Sequence, residues 1–319
     1  MTGIRTSLPP HLASPPSGGE EFELWEEKGK MLEILLSQTV SGLVLGGLYV
    51  LIAIGLSIIF GLLGIVNFAH GAFFTLGAYF ALTLVEFFGW PAVLLSPIIV
   101  GGIGMVAERL LISRLYDKEP LISLIVTFAL ALLIEATVRL IYGGIGQPFS
   151  PPPFMVGFLI WGPILITKYR VGVLLTTATV LLLLWLFLEK TPFGRILRAG
   201  SRDPEMVGLL GINLPKVLTW VFGLGCAISG IAGMLAAPLW TVTPAMATNA
   251  IMPAFVVVAI GGLGSFAGAV IAGLLVGVVV ALTIQFWPEA SGAVMYLFMA
   301  LMLLLRPRGL LGERWERFE

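Results

Sequence analysis

Side chains that usually carry out chemistry are scarce in this chain of 319 residues. Its only histidines are His11 and His70 and its only cysteine is Cys226, which excludes an internal disulfide and leaves too few ligands for a structural zinc site. The two aspartates, Asp117 and Asp203, fall in predicted loops, which argues against an intramembrane aspartyl protease. None of the six lysines follows the phosphate-loop pattern. We therefore expect no catalysis by this chain and no cofactor or metal bound to it.

Asn67, His70 and Gly71 lie between two apolar runs. A bare amide or imidazole is costly in hydrocarbon, so both polar side chains should face a bundle interior, a cavity or an interface. They could line a path through the bundle or brace a bend in a broken helix, and we favour bracing. Glu135 and Arg139 are four residues apart on a predicted helix, the spacing at which opposite charges pair. We favour a structural bridge over a polar path for that pair.

The segment 190–216, called the cytoplasmic loop below, carries complete signals for a short helix. Asp203 is a good N-cap, Glu205 lies in the first turn where the helix dipole favours negative charge, and Gly211 can close the helix. These residues predict a helix over about 204–210.

A basic run precedes that short helix in the cytoplasmic loop. It begins at Gly194, and Arg195, Arg198 and Arg202 follow at spacings that place them on one helical face. The basic face and the apolar face of the next helix could dock into a groove of a cytoplasmic partner. Alternatively, the arginines only orient the chain in a membrane. The helical periodicity and the capping residues of this loop favour neither interpretation over the other.

The elements that must position these residues are membrane helices. The chain is 58% apolar and 11% charged with a mean hydropathy of +1.02, whereas soluble domains are about 25% charged. No Asp, Glu, Lys or Arg occurs in 34–85 or in 217–288. As one helix the second run would extend over roughly 100 Å, against a hydrocarbon core of about 30 Å. The chain must cross a membrane several times, which almost excludes a soluble enzyme.

Span length predicts an all-α polytopic membrane protein, a helical bundle of about eight to ten transmembrane segments. The apolar segments lie at 42–63, 68–88, 91–112, 121–142, 156–167, 171–189, 217–238, 251–263, 266–287 and 290–305. Two of them, 156–167 and 251–263, are too short to span alone. We expect these two to be half-helices, re-entrant segments or parts of broken helices.

Lysine and arginine in short loops orient the bundle. They cluster at 109–118, in the cytoplasmic loop and after residue 305, which places these segments and the C-terminus in the cytoplasm. The stretches around 151–153 and 241–248 are poor in positive charge and should be external. Glu108 is expected at the membrane interface.

The ends of the chain differ from the membrane domain expected over 31–312. Residues 1–30 combine several prolines with five glutamates and lack an apolar signal-peptide core, so they are predicted to be a disordered leader. Met31 opens the apolar stretch, which suggests as a hypothesis that it is the native start. Residues 313–319 are expected to form a cytoplasmic tail.

A second glycine-rich segment is similar in sequence to the segment around Asn67. Ser265-Phe266-Ala267-Gly268-Ala269 is similar to Asn67-Phe68-Ala69-His70-Gly71-Ala72, and each run precedes a helix rich in glycine and alanine. Gly261, Gly262 and Gly264 would allow close helix approach. We therefore add these three glycines and Ser265 to the candidates for a translocation path or a helix break.

Taken together, these motifs resemble the permease subunits of branched-chain amino acid ABC importers. The matching runs are 191–199, 203–206 and 209–213 in the cytoplasmic loop, 46–49, 58–61 and 65–71 near the N-terminus, and 259–265, 268–269 and 306–312. The resemblance covers about 31–312 in colinear order. Arg202 departs from it, since many relatives have an acidic or amide residue there, and the leader has no counterpart.

The resemblance implies a permease subunit that moves branched-chain or other hydrophobic amino acids across the bacterial inner membrane. It implies a second homologous permease, two cytoplasmic ATPases that hold ATP and magnesium, and a substrate-binding protein outside. The cytoplasmic loop would be the region that couples to the ATPases. An importer of urea or short amides would share almost every motif. An ion-coupled secondary transporter is a further alternative, but the uncharged run 217–288 argues against a proton relay there.

Overall fold

The computed structural model describes residues 18–116, 118–161 and 164–312 of the chain. The described residues form eleven α-helices, several short 3₁₀ turns and one β-hairpin. The α-helices are α1 (Gly18–Leu63), α2 (His70–Phe88), α3 (Leu95–Leu110), α4 (Pro120–Tyr142), α5 (Lys168–Lys190), α6 (Pro192–Arg202), α7 (Pro204–Leu209), α8 (Leu214–Ala236), α9 (Met246–Gly261), α10 (Phe266–Phe286) and α11 (Ser291–Leu305).

Eight helical segments of the described residues are long and apolar enough to cross a membrane. They are α1 from Met31 onward, α2, α4, α5, α8, α10, and α3 and α11 with their adjoining 3₁₀ turns. Helix α9 has 16 residues, contains Pro253 and is too short by that criterion. The expected all-α, polytopic fold with broken helices is confirmed.

Glycine contacts hold α1 at the centre of the bundle. Helix α1 packs antiparallel on α10, and a Cβ at Gly46 would come within 2.8 Å of the Gly273 carbonyl oxygen. On the other side, α8 packs on α1, α2 and α3. A Cβ at Gly77 of α2 would collide with the backbone of Gly230 on α8. Only glycine permits these backbone contacts, because any larger residue would place a Cβ atom against the facing backbone. Close packing matters in a membrane because helices gain no hydrophobic stabilisation from leaving lipid for each other.

The direction of α1 follows from its neighbours at each end. Gly61 near its C-terminal end lines a cavity shared with Gly194 of α6. At the other end, Gln38 Nε2 donates a hydrogen bond of 2.7 Å to Gln285 Oε1 near the end of α10. The C-terminal end of α1 therefore lies on the same side of the bundle as the loop 190–216, and Gln38 lies toward the opposite side.

The apolar segment 156–167 was expected to be a half-helix, a re-entrant segment or part of a broken helix, and it forms two β-strands instead. Strands β1 (Phe158–Trp161) and β2 (Ile164–Thr167) form an antiparallel hairpin that pairs Phe158 with Thr167. Gly157 has a φ of +112°, which interrupts any helix at that point. The hairpin side chains are mostly β-branched or aromatic, which favours strand over helix.

Two other expectations are refined. The segment 251–263 is helical but begins earlier, since α9 starts at Met246. Helix α1 begins at Gly18, so residues 18–30 are helical rather than disordered. The remainder of the predicted leader, 1–17, and the tail 313–319 lie outside the described residues.

Candidate coupling site and helix break

The cytoplasmic loop folds into two consecutive short helices, α6 and α7. Helix α6 begins after Thr191, whose hydroxyl accepts a hydrogen bond of 3.3 Å from Gly194 N. Helix α7 begins after Asp203, whose Oδ1 accepts a hydrogen bond of 2.9 Å from Met206 N. Gly211 adopts a φ of +79° just beyond α7. The predicted cap is confirmed, and the observed helix ends one residue before the predicted position.

Helix α6 is held tightly against the end of α5. Gly194 is buried, and a Cβ there would collide with the Leu188 carbonyl oxygen. Arg198 Nη1 donates to the same carbonyl at 2.9 Å and pairs with Glu189 Oε1 at 3.1 Å. Arg198 therefore fixes α6 on α5 although its side chain is 45% exposed, and Arg195 is also exposed. Of the three arginines predicted to share a basic face, Arg195 and Arg198 differ in their contacts with α5.

Helix α7 presents apolar side chains away from the bundle. Leu209 is 83% exposed, and Met206 and Leu210 are also largely exposed. Val207 is buried and faces the bundle, while Glu205 is exposed in the first turn. The exposed trio lies between the spans α5 and α8 but in neither of them. Apolar side chains exposed outside the lipid-facing spans are typical of a protein docking surface.

Asn67 and His70 lie at the break between α1 and α2. His70 is fully buried, its Nε2 lies 3.1 Å from the Ile52 carbonyl oxygen, and its own carbonyl accepts a hydrogen bond of 3.0 Å from Ser229 Oγ. Asn67 Oδ1 accepts a hydrogen bond of 3.0 Å from Ala69 N in the first turn of the break. These contacts join α1, α2 and α8 and favour a bracing role.

Gly71 completes this brace, because a Cβ there would collide with the Ala247 carbonyl oxygen of α9. Two buried atoms at the break, Asn67 Nδ2 and His70 Nδ1, have no hydrogen-bond partner among the described residues. Within that same part of the chain, no group of three or more histidine, cysteine or carboxylate side chains converges where a metal ion could bind.

The second glycine-rich turn, between α9 and α10, binds the C-terminal segment. Leu310 N donates to the Ile260 carbonyl at 2.7 Å, and Leu311 N donates to the Gly261 carbonyl at 3.1 Å. Gly262 has a φ of +99°, and a Cβ there would lie 2.5 Å from the backbone nitrogen of Gly312. Gly264 and Ser265 follow, with a φ of +79° at Gly264 and an N-cap hydrogen bond of 3.1 Å from Gly268 N to Ser265 Oγ.

Only some of the residues predicted for a translocation path line a cavity of about 200 Å³. Its lining includes Gly264 of the second turn together with Gly194 and Arg198 of the cytoplasmic loop. Neither Asn67 nor His70 lines it. The cavity thus lies between the loop and the second turn, and Asn67 and His70 of the first turn lie elsewhere in the bundle.

The charged residues Glu135 and Arg139 form the expected pair. Arg139 Nη2 lies 3.0 Å from Glu135 Oε1 on α4, and the Arg139 side chain is well exposed. The pair does not line the cavity, so a structural bridge remains the better interpretation.

A buried carboxylate, Glu108, was missed by sequence reasoning. It was expected at the interface, but it is only 1% exposed and accepts hydrogen bonds from Tyr116 and, at 2.6 Å, from Thr219 Oγ1 on α8. Burial and the Glu108 carboxylate raise the pKa of Tyr116 above its ordinary value, so the phenol stays protonated and donates. No local pattern could have linked residues so far apart in sequence.

We expect Thr219→Val to destabilise the protein by about 1.5 to 3 kcal/mol, because it removes a hydrogen bond to a buried charged group. The measurement is thermal unfolding of the purified protein in detergent. Thr179→Val is the matched control, since the Thr179 hydroxyl donates only to Leu175 O of its own helix. Equal stability of the two variants would show that the hydrogen bond from Thr219 to Glu108 does not stabilise the packing of α3 on α8.

Long apolar helices, a short broken helix and a pair of helices outside the spans together define a multi-pass membrane protein. Residues 38–305 match the family described as the branched-chain amino acid transport system permease component. The chain therefore belongs to this family of membrane permeases. It is a multi-pass protein of the inner membrane.

Several curated proteins are similar to the chain over most of its length. BraD of Pseudomonas aeruginosa, a high-affinity branched-chain amino acid transport system permease protein, is 31% identical, covering 87% of this chain and 96% of BraD. LivH of Escherichia coli K12 is 30% identical with the same coverage. LivM of Salmonella typhimurium, a permease protein named for the same kind of system, is 27% identical, covering 83% of this chain and 68% of LivM. No solved structure matches the chain.

Proposed function

We propose that this chain is one of two permease subunits of an ATP-driven importer of branched-chain amino acids. The family and the names of its relatives support this substrate class. Because LivH and LivM are both permease proteins and both resemble this chain, a second homologous permease is the expected membrane partner. An extracytoplasmic binding protein would deliver the amino acid to the outer mouth.

The observation that carries this proposal is the construction of the cytoplasmic loop. Helix α6 is fixed on α5 through Gly194 and Arg198, while α7 exposes Leu209 and its apolar neighbours. An amphipathic helix held rigidly at one end can insert its apolar face into a groove of another protein. We infer that the groove belongs to one of two cytoplasmic ATPases.

In this proposal the chain itself binds no nucleotide, and ATP with magnesium belongs to the ATPases. ATP binding would move α7, and α6 would transmit that movement to α5 and α1. The membrane helices would then switch the central path from one side to the other.

The docking surface is tested by Leu209→Asp. This substitution should reduce co-purification of the ATPases at least tenfold and reduce leucine uptake similarly, because it places a charge in the centre of an apolar contact. Insertion should be normal, since Leu209 is 83% exposed and packs on little. The measurements are the ATPase content of the purified complex and uptake in cells that express the whole system.

Ile145→Asp is the matched control for this test. Ile145 is an apolar residue that is 82% exposed on the opposite side of the bundle, between α4 and β1. It should leave the ATPase content unchanged. Normal ATPase binding by Leu209→Asp would exclude α7 as the docking surface, and uptake that persists without the ATPases would indicate an ion-coupled transporter.

Substrate class is tested separately on the cognate binding protein. Calorimetry with leucine, isoleucine and valine should show binding, whereas urea and short amides should not bind. The reverse result would reassign the importer to urea or amides and would leave the proposed coupling mechanism unchanged.

A further inference from the structure

The cavity of about 200 Å³ beside the cytoplasmic loop has the size of a small-molecule site. Helices α1, α5 and α6 and the turn before α10 enclose it. Drug-sized ligands occupy pockets of roughly 300 to 1,000 Å³, so an occupant of this cavity must be smaller.

One wall of the cavity combines aliphatic side chains with a single hydroxyl group. Ile54, Ser57, Ile58 and Gly61 line it from one face of α1, and Leu197 lines it from α6. The Ser57 side chain is only 2% exposed and lines the cavity, so its hydroxyl can form a hydrogen bond with a polar group of a ligand.

The remaining wall carries three charged side chains. Arg198, Arg202 and Glu189 line the cavity, and the Arg198 and Glu189 side chains are each about half exposed. Arg198 uses Nη1 for its contacts with Leu188 and Glu189, but a guanidinium group has five N–H donors. The other donors can bind a carboxylate, and the Glu189 carboxylate can accept from an ammonium group.

We propose that this cavity binds a small aliphatic amino acid from the cytoplasmic side. Its carboxylate lies at Arg198, its ammonium group at Glu189 and its side chain against Ile54 and Ile58. The charged wall favours a ligand that carries charged groups, because Arg198 and Glu189 can bind such groups in addition to each other. A ligand with a charged side chain would place that charge against the aliphatic wall. The choice of ligand rests on the proposed function, whereas the site rests on the lining residues.

Occupation of this site is linked to the position of the cytoplasmic loop. Helix α6 supplies Leu197 and Arg198 to the cavity, and α7 follows α6 directly. A ligand that contacts both α1 and α6 favours the arrangement in which they lie together. By linkage, a movement of α6 driven from the cytoplasm must change the affinity for the ligand by the same factor.

The test is protection of a single engineered cysteine. The natural Cys226 is buried, so Ser57→Cys in a Cys226→Ala background places one reactive thiol in the cavity. The purified complex with its partner subunits is reconstituted in nanodiscs without binding protein or ATP and treated with a small cationic thiol reagent. We expect saturating leucine to slow the modification at least threefold.

Two analogues of leucine test the charged wall. 4-Methylpentanoate lacks the ammonium group and isoamylamine lacks the carboxylate, so each should protect much less than leucine. Glu189→Gln should raise the leucine concentration needed for half-protection at least fivefold. Glu86→Gln is the matched control, because Glu86 is exposed near the end of α2 and does not line the cavity.

The outcomes separate this proposal from the proposed function. An unreactive Ser57→Cys thiol, or modification at the same rate with and without leucine, would overturn the site. Equal protection by leucine and by both analogues would overturn the assignment of the charged wall. If the complex imports leucine but leucine gives no protection, the site alone fails; if the complex does not import leucine, the proposed substrate fails.

Discussion

Gly233→Val should leave almost no folded protein in the membrane. Gly233 of α8 faces α2, and a Cβ there would collide with the Phe74 carbonyl oxygen. Neither backbone can withdraw, because Gly77 and Gly230 hold the same two helices in contact a turn away. Overpacking usually costs about 1 to 3 kcal/mol, and a clash between two backbones should exceed that range.

This expectation is measured as the amount of monodisperse protein after detergent extraction of a fluorescent fusion. Gly102→Val is the matched control, since Gly102 lies in a membrane helix, α3, and no atom lies within 4 Å of a Cβ built there. Wild-type-like yield of Gly233→Val would show that α2 and α8 do not approach as closely as described.

Gly194→Val is the second substitution with a large expected effect, here on transport rather than folding. A Cβ at Gly194 would collide with the Leu188 carbonyl oxygen, the same atom to which Arg198 donates. The valine must therefore displace α6 from α5 and break the Arg198 contact. We expect transport to fall at least tenfold, since movement of α7 can no longer reach the membrane helices.

The control for Gly194→Val is Gly292→Val, outside the loop. Gly292 lies in α11, and no atom lies within 4 Å of a Cβ built there. Both variants should insert normally, so that uptake and ATP hydrolysis in proteoliposomes can be compared directly. If Gly194→Val transports at the rate of Gly292→Val, α6 is not the rigid link between the ATPases and the membrane domain.

Local signals in the sequence were sufficient for the spans and for the helix ends of the cytoplasmic loop. The uncharged runs 34–85 and 217–288 predict membrane crossings because a charge in hydrocarbon is costly wherever it occurs. Asp203 predicts the start of α7 because an N-cap hydrogen bond involves only neighbouring residues, and the structure has that bond at 2.9 Å.

A short apolar run carries less information than a long one. The apolar residues of the segment 156–167 show no periodicity that would distinguish a half-helix from a strand, and the length of the segment favours neither strongly. The hairpin was therefore missed, although Gly157 and the β-branched side chains beside it were available as signals.

The surroundings of the candidate site residues depended on the tertiary structure. Arg195 and Arg198 are equivalent by spacing, yet only Arg198 reaches the end of α5. His70 is a polar residue between apolar runs and could have lined a translocation path, yet its ring contacts Ile52 inside the bundle.

By itself, the sequence determined that the protein is an all-α membrane protein and where most of its helices run, because exclusion of charge from lipid and helix capping act on neighbouring residues. The expectation of a permease came from the resemblance of its motifs to a known family. Only the tertiary structure decided which of the marked residues meet. The contact of Glu108 with Thr219 and the cavity between Ser57 and Arg198 join residues far apart in the chain. Such contacts arise where helices pack closely at glycines, and a local sequence pattern does not predict which helices will meet there.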